Sequence, residues 1–207
     1  MSGTLRLGTL LLLGIAAGIG AAGQAAIDVE HSRIRIHVGK GGLFSAAGHE
    51  HWVQAPIVEG DLQEGPPATI SFRVDSRQMK VEEDQSLSGE QRSEVESTMQ
   101  TKVLESGQYP EIRFHSTSIT QASPNTWDVR GDLSLHGQTR PVHTTVRKQE
   151  NAYLGRCQIK QTDFGIQPVR VAGGMVRVKD ELDIEFSVQP VSRAELAPPR
   201  RAPAPAR

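Results

Sequence analysis

Much of the chain alternates apolar and polar residues with a period of two, the pattern of a strand with one buried face. In Ala26–Gly39, Ile34, Ile36 and Val38 alternate with Arg33, Arg35 and His37. In Ala68–Asp75, Ile70, Phe72 and Val74 alternate with Ser71, Arg73 and Asp75. Glu111–Thr120 puts Ile112, Phe114, Ser116 and Ser118 on one face, and Thr126–His136 does the same with Trp127, Val129, Gly131, Leu133 and Leu135. Val142–Lys148 sets Val142, Thr144 and Val146 against His143, Thr145 and Arg147, and Ala152–Thr162 follows as a further strand. In Met175–Val188 one face collects Val176, Val178, Leu182, Ile184, Phe186 and Val188, with Asp180 interrupting it. The segment Leu43–Leu62 (LFSAAGHEHWVQAPIVEGDL) is predicted to be the second strand of the series, with a polar cluster at its entrance.

One region breaks the alternation. Val81–Leu104 is rich in helix formers; Ser88-Gly-Glu-Gln91 has capping-box spacing, and Val95, Met99 and Val103 recur on one helical face. It is predicted to be a helix covering an end or face of the sheet, ended by Gly107-Gln-Tyr-Pro110. About eight antiparallel strands with short turns predict an all-β fold, an up-and-down barrel with a helical insertion after the third strand. Closure removes the edges an open sheet would expose; a two-sheet sandwich is the alternative. A barrel of this size either fills with side chains or holds one slim ligand. Its inner face is aliphatic with few aromatics, which leaves room for an apolar chain. The expected lining is Val176, Val178, Leu182, Ile184 and Phe186 on the last strand, opposed by Ile70, Phe72, Val74, Leu133 and Leu135.

The ends change this picture. Residues 1–25 have the parts of a secretory signal: Arg6, an apolar run Leu7–Ile19, and small residues at Ala21-Ala22-Gly23 and Gly23-Gln24-Ala25. That run is short of the ~20 residues a spanning helix needs. Residues 191–207, rich in Ala, Pro and Arg, are predicted to be an extended, disordered tail. Residues 26–190 then form one domain. The net charge of −1 lacks the basic excess of a nucleic-acid binder. Cys157 is the sole cysteine, so no disulfide forms within the chain. Its position in a strand makes it a small buried hydrophobe.

The chemistry-bearing residues are few. His49 and His51 stand two apart on an apparent strand, which suits two ligands of a zinc or copper ion. Asp180 is the most suggestive third ligand, with His31 and His136 as others. The competing reading is that both histidines line a barrel mouth, bonded to water, backbone or a ligand's head. No Gly-x-Ser-x-Gly, phosphate loop or His-Glu-x-x-His is present, and the chain is expected not to be an enzyme.

The sequence resembles the YceI-like family of exported, lipocalin-like barrels. The resemblance is carried by His31-Ser32, by Tyr109-Pro110-Glu111-Ile112-Arg113-Phe114-His115-Ser116-Thr117, by Gly131 to Val142 (GDLSLHGQTRPV) and by Asp163-Phe164-Gly165. It spans roughly residues 27–188. Gln91–Val103 lacks the Arg-Asp-x-x-Leu pattern of lipid-binding members, and Gly-His-Glu-His marks a variant branch. The resemblance implies a periplasmic or secreted protein that carries or sequesters a polyisoprenoid or other lipid in the lumen. It brings no cofactor, and it leaves room for transient membrane contact and for oligomers. The alternative is a periplasmic metal-binding protein using the His49-x-His51 pair.

Overall fold

The computed structural model describes residues 24–41, 50–83, 87–171 and 176–191. The signal-like segment up to Gly23, the tail from Ser192, His49 and the Gly173-Gly174 turn lie outside them. The strands are β1 (Gln24–Ala26), β2 (Arg33–Gly41), β3 (His51–Gln54), β4 (Ile57–Gln63), β5 (Thr69–Asp75), β6 (Lys80–Val81), β7 (Glu111–Ser123), β8 (Thr126–Leu135), β9 (Gln138–Gln149), β10 (Ala152–Lys160), β11 (Arg170–Val171) and β12 (Val176–Val188). Helix α1 (Gly89–Thr98) separates β6 from β7. All pairings are antiparallel, in the order β1-β4-β5-β7-β8-β9-β10-β12-β2-β3-β6.

The sheet curls into a barrel whose ends meet at a seam. Ile27 N donates to Gly60 O, Asp28 N to Gln189 O and Val191 N to Ala26 O, each at 2.8 Å, and Ile27 bridges Pro190. These bonds join the β4 side of the sheet to the chain leaving β12. Ile27, Ile34, Leu62 and Val188 are buried along the closure.

Twelve strands among the described residues replace the eight expected, and the reason is local. The first predicted strand breaks at Asp28, whose carboxylate accepts from the backbone N of Glu30 and His31 and turns the chain between β1 and β2. The second breaks at Ala55-Pro56. Ala55 N still bonds Ile34 O, so β3 stays on β2, while β4 leaves to pair with β1 and β5. The two-residue strands β6 and β11 complete the count.

The described strands carry four register shifts; one, between Gln121 and Ser123, lies at the end of β7, and the other three bear on the apolar faces. One lies between Ser116 and Ser118 on β7, so Ile119 takes the inward position and Ser118 is exposed, contrary to the simple alternation. A second lies between Ile57 and Glu59. The third, between Val178 and Leu182, is where Asp180 interrupts the apolar face of β12.

The helix begins where the capping box places it. Gln91 N donates to Ser88 Oγ at 3.2 Å, and Ser88 N to Gln91 Oε1 at 2.9 Å. It runs into one π turn, Met99–Val103, closed by Leu104 N to Met99 O at 2.8 Å. α1 has no buried residue. It is held to the barrel by Glu96, which accepts from Lys80 Nζ at 3.2 Å and Val81 N at 3.3 Å, and by an Arg92–Glu83 ion pair at 2.9 Å.

Candidate functional site

The barrel is hollow. A cavity of about 820 Å³ runs through it, walled by the inward side chains of successive strands. On β12, Val178, Leu182, Ile184 and Phe186 line it; on β5, Ile70, Phe72 and Val74; on β8, Leu133 and Leu135. Of the ten lining residues named from the sequence, nine therefore meet at one space. Val176 is on β12, but its side chain lies outside the described residues. The sequence missed Val95, Met99 and Val103, which it treated as cover alone; they cap one end of the barrel and also form part of the cavity wall.

Two glycines explain why the lumen stays open. Gly155 pairs with Phe186 across the β10–β12 ladder, and a Cβ on Gly155 would lie 2.3 Å from Phe186 Cζ. A Cβ on Gly131 would lie 2.5 Å from the Phe114 ring and 2.5 Å from the His115 carbonyl oxygen. Each ring lies against bare backbone, folded along the wall rather than pointing at the barrel axis. Phe114 also stacks on Phe72, with ring centroids 5.4 Å apart.

Polar groups sit at the two ends. At the end formed by the β4–β5 and β9–β10 turns, Glu64, Lys148 and Tyr153 line the cavity. Lys148 Nζ donates to Glu64 Oε1 at 2.8 Å, and Tyr153 OH donates to the same oxygen. The ammonium lies 4.9 Å from the Tyr153 ring centroid, and the Trp127 and Tyr153 rings meet at a tilt with centroids 5.7 Å apart. The Lys148 and Tyr153 bonds hold the Glu64 carboxyl below its ordinary range, and the Glu64 bond pushes the Lys148 ammonium up. Burial, then the Glu64 bond, pushes the Tyr153 phenol up. At the α1 end the wall includes Lys40, His51, Glu94 and Arg177. Between the ends Cys157 faces the lumen, and burial pushes its thiol up to about 11, so at neutral pH it stays protonated and weakly reactive.

Among the described residues, those named for a metal are not brought together. His49 lies outside the described residues. His51 opens β3, pairs with Val38 and faces the lumen. Asp180 is engaged elsewhere: it accepts from Thr162 N at 2.9 Å and Thr162 Oγ1 at 2.6 Å, anchoring the 3-10 turn Gln161–Phe164, and these bonds lower its pKa. His31 Nδ1 meets Asp28 at 2.7 Å. His136 reaches Glu105 at 2.8 Å through Nε2 and the Phe164 carbonyl at 3.3 Å through Nδ1. Among the described residues no three His, Cys, Asp or Glu side chains converge on one point.

A single antiparallel barrel around an apolar lumen, with one short helix over an end, defines the class: a lipocalin-like barrel. Residues 26–190 match the YceI-like domain, and the chain belongs to that family. It is 49% identical over 102 residues to a UPF0312 protein of Pseudomonas putida strain W619, covering 44% of this chain and 49% of that protein. With a UPF0312 protein of Vibrio cholerae serotype O1 strain M66-2 it shares 29% over 92 residues, covering 40% and 47%. The chain thus spans about half the length of the curated relatives it matches. Among solved structures, BcnA of Burkholderia cenocepacia superposes with a TM-score of 0.59 at 16% identity, covering 78% of this chain and 98% of BcnA. A polyisoprenoid-binding domain from Saccharophagus degradans superposes at 0.53 and 12% identity, covering 79% and 95%. At these identities the likeness is one of fold.

Proposed function

We propose that this protein is an exported carrier that holds an apolar small molecule, a polyisoprenoid or another lipid chain, inside the barrel. The observation that carries the reading is the continuous 820 Å³ lumen walled almost wholly by aliphatic and aromatic side chains. That volume falls within the ~300–1,000 Å³ of small-molecule sites. The wall offers area to a hydrocarbon and few groups to orient a polar solute, so the energy of binding comes from removing apolar surface from water. The polyisoprenoid-binding domain of Saccharophagus degradans shares the fold and supports the ligand class. Export rests on Arg6, Leu7–Ile19 and the small residues at 21–25. An exported carrier of an insoluble chain loads and unloads by transient contact with a membrane or a second carrier. No reaction is assigned to the lumen.

The test is native mass spectrometry of protein purified from its own compartment, followed by solvent extraction of whatever is bound. An added lipid mass is the expected result. Protein carrying a metal mass, or no added mass under conditions that preserve apolar complexes, would overturn the reading.

A further inference from the structure

The Glu64–Lys148–Tyr153 cluster crosses the barrel rather than running round its wall. Lys148 and Tyr153 face each other across the β9–β10 pair and are the inward side chains nearest the Glu150-Asn151 turn. Glu64 follows β4. Between β4 and β9 the sheet order places β5, β7 and β8; between β10 and β4 in the other direction lie β12 and then β1 through the seam. β4 and the β9–β10 hairpin therefore stand on opposite sides of the ring. Side chains that touch from those positions span the lumen's end. Hydrogen bonds in the wall join neighbouring strands; this pair of bonds joins the turn between β4 and β5 to β9 and β10, which pair with neither of those strands.

We propose that this bridge is the closed end of the lumen, that it sets the longest apolar chain the barrel accepts, and that the chain enters from the α1 end. The proposal rests on the carrier reading and adds a length limit to it. An apolar tail tip can donate to none of the three groups and accept from none. Pushing between them would break both bonds to Glu64; its side chain is 49% exposed and that of Lys148 28%, so water offsets part of the loss, but hydrocarbon offsets none of it. The tip therefore stops there, against Trp127 and the Tyr153 ring. The opposite end is closed differently. α1 and the π turn after it have no buried residue and lay Val95, Met99 and Val103 over the lumen, so a hydrocarbon entering there replaces apolar contacts with like contacts. Any polar head is left at the α1 end. The ligand class is then a linear, unbranched or prenyl chain of bounded length with one polar terminus.

The experiment uses the full mature chain and a series of all-trans prenyl alcohols of increasing length as probes. In the wild type, affinity is expected to rise by about tenfold or more with each added isoprene unit that fits, then to stop rising at a cut-off length. In Glu64→Ala the cut-off moves to a longer probe while affinities for shorter probes stay as they were. Tyr153→Phe, which keeps the ring, moves it in the same direction by less. A second readout needs no ligand: Cys157, the sole cysteine, faces the lumen, so its labelling by a small thiol reagent reports access. Labelling of the empty protein should speed up several-fold in Glu64→Ala at unchanged fold by circular dichroism. An unchanged cut-off in both variants would place the end of the lumen elsewhere and overturn the proposal. If the wild type binds no probe of any length, the carrier reading falls, and with it the length limit. Unchanged Cys157 labelling would show separately that the bridge does not seal the end.

Discussion

Replacing Ile184 by Trp tests whether the lumen is working space or core. Ile184 sits mid-barrel on β12, between Cys157 on β10 and Ile36 on β2, and faces the cavity. In a close-packed interior, forcing in the larger side chain strains the fold by ~1–3 kcal/mol. For a domain of this size that lowers the melting temperature by roughly 2–12 °C. Here the indole enters a cavity of about 820 Å³, so the expected change in the delipidated protein is close to zero. The same volume shows why the cavity needs an occupant. At ~24 cal/mol per Å³, the coefficient for dry cavities left by truncated side chains, 820 Å³ would cost about 20 kcal/mol. That exceeds the ~5–15 kcal/mol of a typical folded domain, so the lumen fills with water or with ligand. A ligand at a hundred times its dissociation constant adds ~2.7 kcal/mol by mass action, which is a shift of about 5–10 °C. The assay is thermal melting of delipidated wild type and Ile184→Trp, each with and without a long-chain prenyl alcohol. The wild type should shift upward with ligand; the variant should start near the wild-type melting temperature and shift little. A variant that melts far below the wild type, with no ligand-dependent shift in the wild type, would refute the reasoning.

Gly131→Ala places a Cβ 2.5 Å from a backbone oxygen and from the Phe114 ring, and should destabilise the protein by ~1–3 kcal/mol in denaturant unfolding while reducing ligand capacity as the ring swings inward. Asp75, whose side chain is 11% exposed, is held by Arg77 at 2.8 Å, which lowers its pKa from 3.8 to about 2. Because the folded pKa is the lower one, this contribution is present above pH ~4 and disappears as pH falls towards 2. Arg77 is 62% exposed and solvent screens the pair, so Asp75→Asn should cost on the order of 1–2 kcal/mol at neutral pH and almost nothing near pH 2 in acid unfolding. Since Gln24, Ala25 and Ala26 pair with Gln63, Leu62 and Asp61, amino-terminal sequencing of exported protein should find cleavage after Gly23 or earlier. A mature terminus beyond Ala26 would remove β1.

The strand faces were legible in the sequence because a pleated strand has a period of two and the solvent enforces it. Ile34-x-Ile36-x-Val38 and Leu133-x-Leu135 needed no partner to show which side was inward. The helix start was legible at Ser88 and Gln91 because the capping box is a local bond pair. By the same parity Tyr153 could have been read as inward, alongside Cys157 and Ile159, and Lys148 alongside Val146. Other features depended on residues far apart in the chain. The bulges at Ser116 and Asp180 arise from mismatch with a neighbouring strand, so no local pattern announced that Ser118 would turn out and Ile119 in. Asp180 interrupts an apolar face in the sequence, and its reason, two bonds to Thr162, lies on another element. Glu64 sits in a turn with no periodicity, and it meets Lys148 and Tyr153 only because the sheet closes into a ring. Whether the inward residues would fill the barrel or line it was likewise a tertiary matter. Alternation states which side chains point in; the space left between them depends on the circumference of the closed sheet and on Phe114 and Phe186 lying flat over Gly131 and Gly155.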